Sequence, residues 1–144
     1  MNYCSLQDIA EGIKSGNVSA MISEMEEKLR KKDDNKRNSI LCIHLALCYL
    51  QLETARKAIH KCEEAISLNK EQGFAYFIKG VAYLWIDQEE KALEIWSSSF
   101  KSFSDLQQTT TLKNIVFDHN FREYIYKHKF DILAIIDICS NYDG

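Results

Sequence analysis

The sequence predicts an all-α fold: an array of antiparallel helical hairpins, closed by a helical C-terminal extension. Three observations carry this. The chain has 144 residues and no proline, where usage of about 5% would give roughly seven, and proline breaks helix interiors. Apolar residues recur three and four apart through most of the chain, the spacing of one helix face. The polar stretches between these segments are very short, so successive helices pack antiparallel. Apolar residues make up 46% and charged residues 27%, an ordinary globular composition. The length suffices for one hydrophobic core, so residues 1–144 are expected to form a single domain.

The helices are expected in order. Residues 5–15 begin with Ser5 and Asp8 in a capping-box-like arrangement, and Leu6, Ile9, Ala10 and Ile13 form a stripe. Ser15, Gly16 and Asn17 signal a turn, with Asn17 able to cap the next helix. Over residues 18–32, Val18, Met21, Ile22, Met25 and Leu29 share a face, and Glu24, Glu27, Lys28 and Lys31 lie opposite. Residues 31–37 read as a polar loop. Four further helices are expected over 38–52, 53–69, 72–86 and 87–103. The stretch 74–87, FAYFIKGVAYLWID, carries only Lys79 and Asp87 as charges, so it has almost no polar face and must be covered.

The last third is less regular. Ser104 could cap a helix weakened by three threonines. Residues 118–130 suggest a short helix with Phe121, Tyr124, Ile125 and Phe130 inward. Residues 130–139 form a dense apolar helix in which only Asp131 and Asp137 are charged. This segment has three candidate uses: an end cap on the last hairpin, which helical arrays require; a strap folded back over the array; or a helix for a partner or a homodimer.

Laying residues 39–72 over the stretch 34 positions later matches Tyr49 with Tyr83, Leu50 with Leu84, Leu52 with Ile86, Lys57 with Lys91 and Ala58 with Ala92. Ala46 falls on Gly80 and Cys62 on Trp96. The small residues allow close helix approach, and the aromatic rings fill the space around them. This pattern resembles the tetratricopeptide repeat. The resemblance covers residues 39–72 and 73–104 well and 5–38 as a degenerate unit, with 105–144 as the extension. It departs from the family where Lys70 and Ser104 stand in place of the usual terminal proline.

The resemblance implies a right-handed superhelical array whose first helices line a groove for a partner helix or extended segment. The groove positions would be Ile40, Ile43, His44, Leu47, Leu50 and Gln51, then Phe74, Phe77, Ile78, Val81, Leu84 and Trp85. Places where some members grip a terminal carboxylate hold Leu6 or Ile9, Ala10 or Ile13, His44, Phe74 and Ile78, so no carboxylate clamp is expected. The implied function is a protein-binding module or adaptor with an apolar groove. The alternative is a structural or oligomerisation domain whose groove is filled by its own C-terminal helices.

Other chemistry finds little support. A net charge of −3 argues against a general nucleic-acid binder. No run reaches the roughly 20 apolar residues of a membrane span, and the first residues lack a signal peptide's basic start and apolar block. The five cysteines, Cys4, Cys42, Cys48, Cys62 and Cys139, are odd in number and irregular in spacing. That pattern suggests free thiols in an intracellular compartment, cytoplasmic or nuclear. Cys42 and His44 are two apart on a helix and point apart, as do His60 and Cys62, so no metal site is expected. No glycine-rich phosphate loop is present. The basic stretch 28–37 is interrupted by Asp33 and Asp34 and reads as a solvated loop. His119 and His128 lie near acidic residues, but no nucleophile, base and orienting group assemble. No cofactor and no enzymatic activity are expected.

Overall fold

The computed structural model describes residues 5–31, 34–99 and 115–142, and these contain eight α-helices and no strand. They are α1 (Leu6–Lys14), α2 (Val18–Leu29), α3 (Asn35–Gln51), α4 (Ala55–Leu68), α5 (Gly73–Trp85), α6 (Glu89–Ser99), α7 (His119–Lys127) and α8 (Ile132–Tyr142). The expectation of a cap at Ser104 lies outside the described residues. The all-α class is as the sequence predicts.

Helix ends follow local chemistry. Ser5 accepts from the Asp8 amide at 3.1 Å and starts α1. Asp34 accepts from the Lys36 and Arg37 amides at 3.0 and 3.3 Å, so α3 begins three residues earlier than the apolar pattern suggests. Asn17 makes no side-chain cap, contrary to expectation.

The connection it sits in is instead closed by backbone. The Asn17 amide donates to the Gly12 carbonyl at 2.9 Å, and Gly16 takes φ +74°. The same closure ends α3, where Thr54 donates to Tyr49 at 2.9 Å with Glu53 at φ 60°, and α5, where Gln88 donates to Tyr83 at 2.9 Å with Asp87 at φ 64°. This is the six-to-one hydrogen bond and left-handed residue of a Schellman ending. Glu53 and Asp87, expected as first helical residues, are therefore turn residues. They stand at equivalent positions of the sequence repeat, so the turn repeats with it.

Consecutive helices from α1 to α6 pack against one another, and α1 also meets α3 and α3 meets α5. The first helices of the three hairpins thus form a continuous layer. Within the third hairpin a Cβ on Gly80 would stand 2.1 Å from Trp96 Nε1, so only glycine admits the fully buried indole there. Ala46 and Cys62 are fully buried at the corresponding points of the second hairpin: where glycine gives way to alanine, tryptophan gives way to cysteine. The Lys57 ammonium lies 5.7 Å from the Tyr49 ring centre, and Lys91 lies 4.9 Å from Tyr83, again one repeat apart.

Polar ties fix the hairpins to each other. Glu26 of α2 accepts from Tyr49 Oη at 2.7 Å and from Lys61 Nζ at 2.8 Å, joining α2 to α3 and α4. Ser39 Oγ donates to the Ala65 carbonyl at 2.8 Å inside the core. Lys79 and Glu63, 3.7 Å apart, link α5 to α4.

Candidate functional site

The candidate groove is the layer of first helices, and the structure places the chain's own C-terminal hairpin across it. Helix α7 packs on α5, and α8 packs on α3 and α1. The apolar spacing of α8 explains its docking: Ile132, Ile135, Ile136 and Ile138 are buried while Asp131 and Asp137 face out. Ile125 is the buried anchor of α7. Tyr124, expected inward, is 43% exposed. It sits one position off the face shared by Phe121 and Ile125 and packs at a tilt against His128, with ring centres 4.4 Å apart.

Two groove residues hold this hairpin directly. Trp85 Nε1–H donates to the Ile125 carbonyl at 2.8 Å, and its ring meets Phe130 with centres 5.5 Å apart. Gln51 Oε1 accepts from the Ile132 amide at 3.1 Å. That amide opens α8 and would otherwise lack a helical partner, so Gln51 caps a helix from 81 residues away. Phe130 turns the chain between the two helices with φ 62°.

The other groove candidates divide by burial. Ile43, His44, Leu47, Leu50, Phe77, Ile78, Val81 and Leu84 are buried, and Phe74 is half-buried. Ile40, 42% exposed, is the outlier. Most of the candidate groove positions are therefore buried within the chain. Phe77 also faces a different way than expected. Its ring stacks near Trp96 of α6, with centres 6.4 Å apart and planes 20° apart, and its carbonyl accepts from Trp96 Nε1 at 3.4 Å. It belongs to the interior of its own hairpin. His44, expected to line the groove, is 4% exposed.

Sequence reasoning missed the outer clasp of the C-terminal hairpin. Tyr126 Oη donates to Asp87 at 2.5 Å, Lys129 lies 3.9 Å from the same carboxylate, and Arg122 Nε donates to Glu89 at 3.1 Å. These partners come from the α5–α6 turn and from a segment outside the repeat. No spacing rule joins them, and no signal in the sequence could have paired them.

A polar cleft of about 410 Å³ lies beside this clasp, lined by Leu84, Asp87, Glu89, His119, Arg122, Glu123 and Tyr126. His119 Nε2 is 4.0 Å from Glu123 and is largely exposed. His128 does not join it, lying 3.9 Å from Asp131. The described lining contains no serine or cysteine. Among the described residues, no group of three His, Cys, Asp or Glu is placed to hold a metal. Cys42, Cys48 and Cys62 are buried and free. Burial pushes the thiols of Cys42 and Cys48 up to about 12, and that of Cys62 up as well, which suppresses the reactive thiolate. No helix among the described residues is long and apolar enough to cross a membrane.

No protein-family model matches the chain, and no solved structure matches it. A similar curated protein is "Suppressor of RPS4-RLD 1" of Arabidopsis thaliana, 31% identical over 110 residues. The match takes in 76% of this chain and 10% of that protein, so the chain spans about a tenth of the relative's length.

Proposed function

We propose that this chain is a tetratricopeptide-like scaffold domain for protein–protein contact, whose groove is occupied by its own C-terminal hairpin. The observation that carries the reading is the engagement of Trp85 and Gln51, both groove positions by the repeat register, by α7 and α8. Support for the repeat family comes from the recurrence of the same turn and the same lysine–tyrosine contact one repeat apart. The domain is non-catalytic in this reading, and partners meet its outer surfaces. Docking in the groove would require α8 to leave, exposing a large apolar face.

The test uses the full chain beside Ile135→Asp, which places an unpaired carboxylate where α8 is fully buried. The variant should bind an apolar dye strongly while keeping most of its helical circular dichroism, because consecutive helices from α2 to α6 also pack on one another. Wild type should bind little dye. Both proteins are then used to capture partners from cell extract. A partner held equally by both supports outer-surface binding. A partner gained only by the variant restores the open-groove adaptor reading. Equal dye binding, or no specific capture by either protein, would sink the proposal.

A further inference from the structure

The second and third hairpins carry opposite charge at equivalent places. Two clefts flank the opening turns of α4 and α6. The one at α4 has a volume of about 420 Å³ and is lined by Glu26, Tyr49, Arg56, Lys57, His60 and Lys61. Lys61 is already paired with Glu26, so the outward positive charge of this cleft rests on Arg56, Lys57 and His60. The one at α6 is lined by Asp87, Gln88, Glu89, Glu90, Lys91 and Glu94. Glu89 is already paired with Arg122, so its unpaired acids among the described residues are Glu90 and Glu94. Arg56 corresponds to Glu90 and His60 to Glu94 across the repeat, while Lys57 and Lys91 are shared. Arg56, His60, Glu90 and Glu94 are all exposed. None of the four forms an ion pair within the chain among the described residues. Glu89 and Glu90 suit the positive end of α6, whereas α4 carries no acid in its first turn. Arg56 and Lys57 there are unfavourably placed for the helix itself.

We propose that this edge is a contact surface for a second copy of the chain, related by a two-fold axis passing between the clefts. Consecutive hairpins pack through α4 and α5, so the basic and acidic patches are neighbours along one edge. Rotation by a half-turn about an axis between them reverses their order. Each basic patch then faces an acidic patch, and one contact generates its symmetric twin. The chain supplies both signs at equivalent positions of consecutive hairpins, which an ordinary acidic or basic peptide would not match on both clefts. The overall charge of −3 disfavours a polyanionic partner. Exposed ion pairs are individually weak and screened by salt, so the association is weak, reversible and strongest at low ionic strength. This inference deepens the scaffold reading by naming a partner. Its test leaves α8 untouched, so its failure would not disturb the covered groove.

The experiment is sedimentation velocity on the full chain over a concentration series, at about 50 mM and about 500 mM salt. Four samples are compared: wild type, Arg56→Glu, Glu90→Arg and the double variant. All substitutions are at exposed positions, and circular dichroism checks that each protein is folded. Wild type should dimerise at low salt and dissociate at high salt. Each single variant should stay monomeric, because like charges then face each other in both symmetric contacts. The double variant should dimerise again. An equimolar mixture of the two single variants should also dimerise, since one carries only acidic and the other only basic residues at the paired positions. A monomeric wild type at every concentration overturns the proposal. So does failure of both the double variant and the mixture to associate.

Discussion

Gly80→Ala sets two well-defined effects against each other. In a helix interior alanine is better than glycine by about 1 kcal/mol, so a free helix would gain. Here the new methyl carbon would lie 2.1 Å from Trp96 Nε1, 2.2 Å from Cε2 and 2.6 Å from Cζ2. The indole is rigid and fully buried, and it cannot swing aside as a flexible side-chain tip could. Overpacking of this kind costs about 1–3 kcal/mol. Displacing the ring also breaks the hydrogen bond to the Phe77 carbonyl, and a buried donor left unpaired costs about 1–3 kcal/mol. The packing terms exceed the propensity gain, for a net loss of about 1–5 kcal/mol, centred on about 3. At a urea slope of about 2 kcal/mol per molar, a loss of about 3 kcal/mol lowers the midpoint by about 1.5 M. Equilibrium urea unfolding followed by tryptophan fluorescence and by circular dichroism measures it. A midpoint equal to or above wild type would refute the claim that Gly80 exists to admit Trp96.

Three further outcomes are expected. Glu53→Gly should raise stability by about 0.5–1 kcal/mol, because a non-glycine residue at φ 60° is strained. Asp87→Gly should not gain as much, since it loses the contacts to Tyr126 and Lys129. Thermal unfolding of the two variants gives the comparison. Burial alone would raise the Glu26 carboxyl, but hydrogen bonds from Lys61 and Tyr49 outweigh it and hold it below its ordinary value. A depressed carboxylate contributes stability above its unfolded pKa and loses it as pH falls through the folded one. Glu26→Gln should therefore be less stable than wild type near neutrality, and the gap should narrow in acid when both are unfolded by urea across a pH series. Cys42, Cys48 and Cys62 should resist a thiol-specific reagent in the native protein and react on unfolding. Rapid native labelling at these three positions, mapped by mass spectrometry, would contradict their burial.

The sequence was most legible where neighbours in the chain are neighbours in space. Helix faces such as Val18, Met21, Met25 and Leu29 follow from the period of the helix alone. The pairing of Gly80 with Trp96 was readable because a 34-residue repeat exposes matched small and large positions. Turn details were less legible. Nothing local marks Glu53 or Asp87 as left-handed, since the residue type usual there is glycine. The structure shows it because the hairpin must close in the same way at each repeat.

What the chain by itself determined is the helical class, the hairpin order and the set of side chains too apolar to face water. Those properties rest on backbone propensity and periodicity, which act within a few residues. Only the tertiary structure decided what covers that apolar face. Gln51 reaches Ile132, and Trp85 reaches Ile125, across sequence separations over which no periodicity operates. The C-terminal hairpin could have capped the end of the array, bound a partner or folded back. The choice depends on the shape of the layer made by α1, α3 and α5, and that shape exists only once the hairpins have packed.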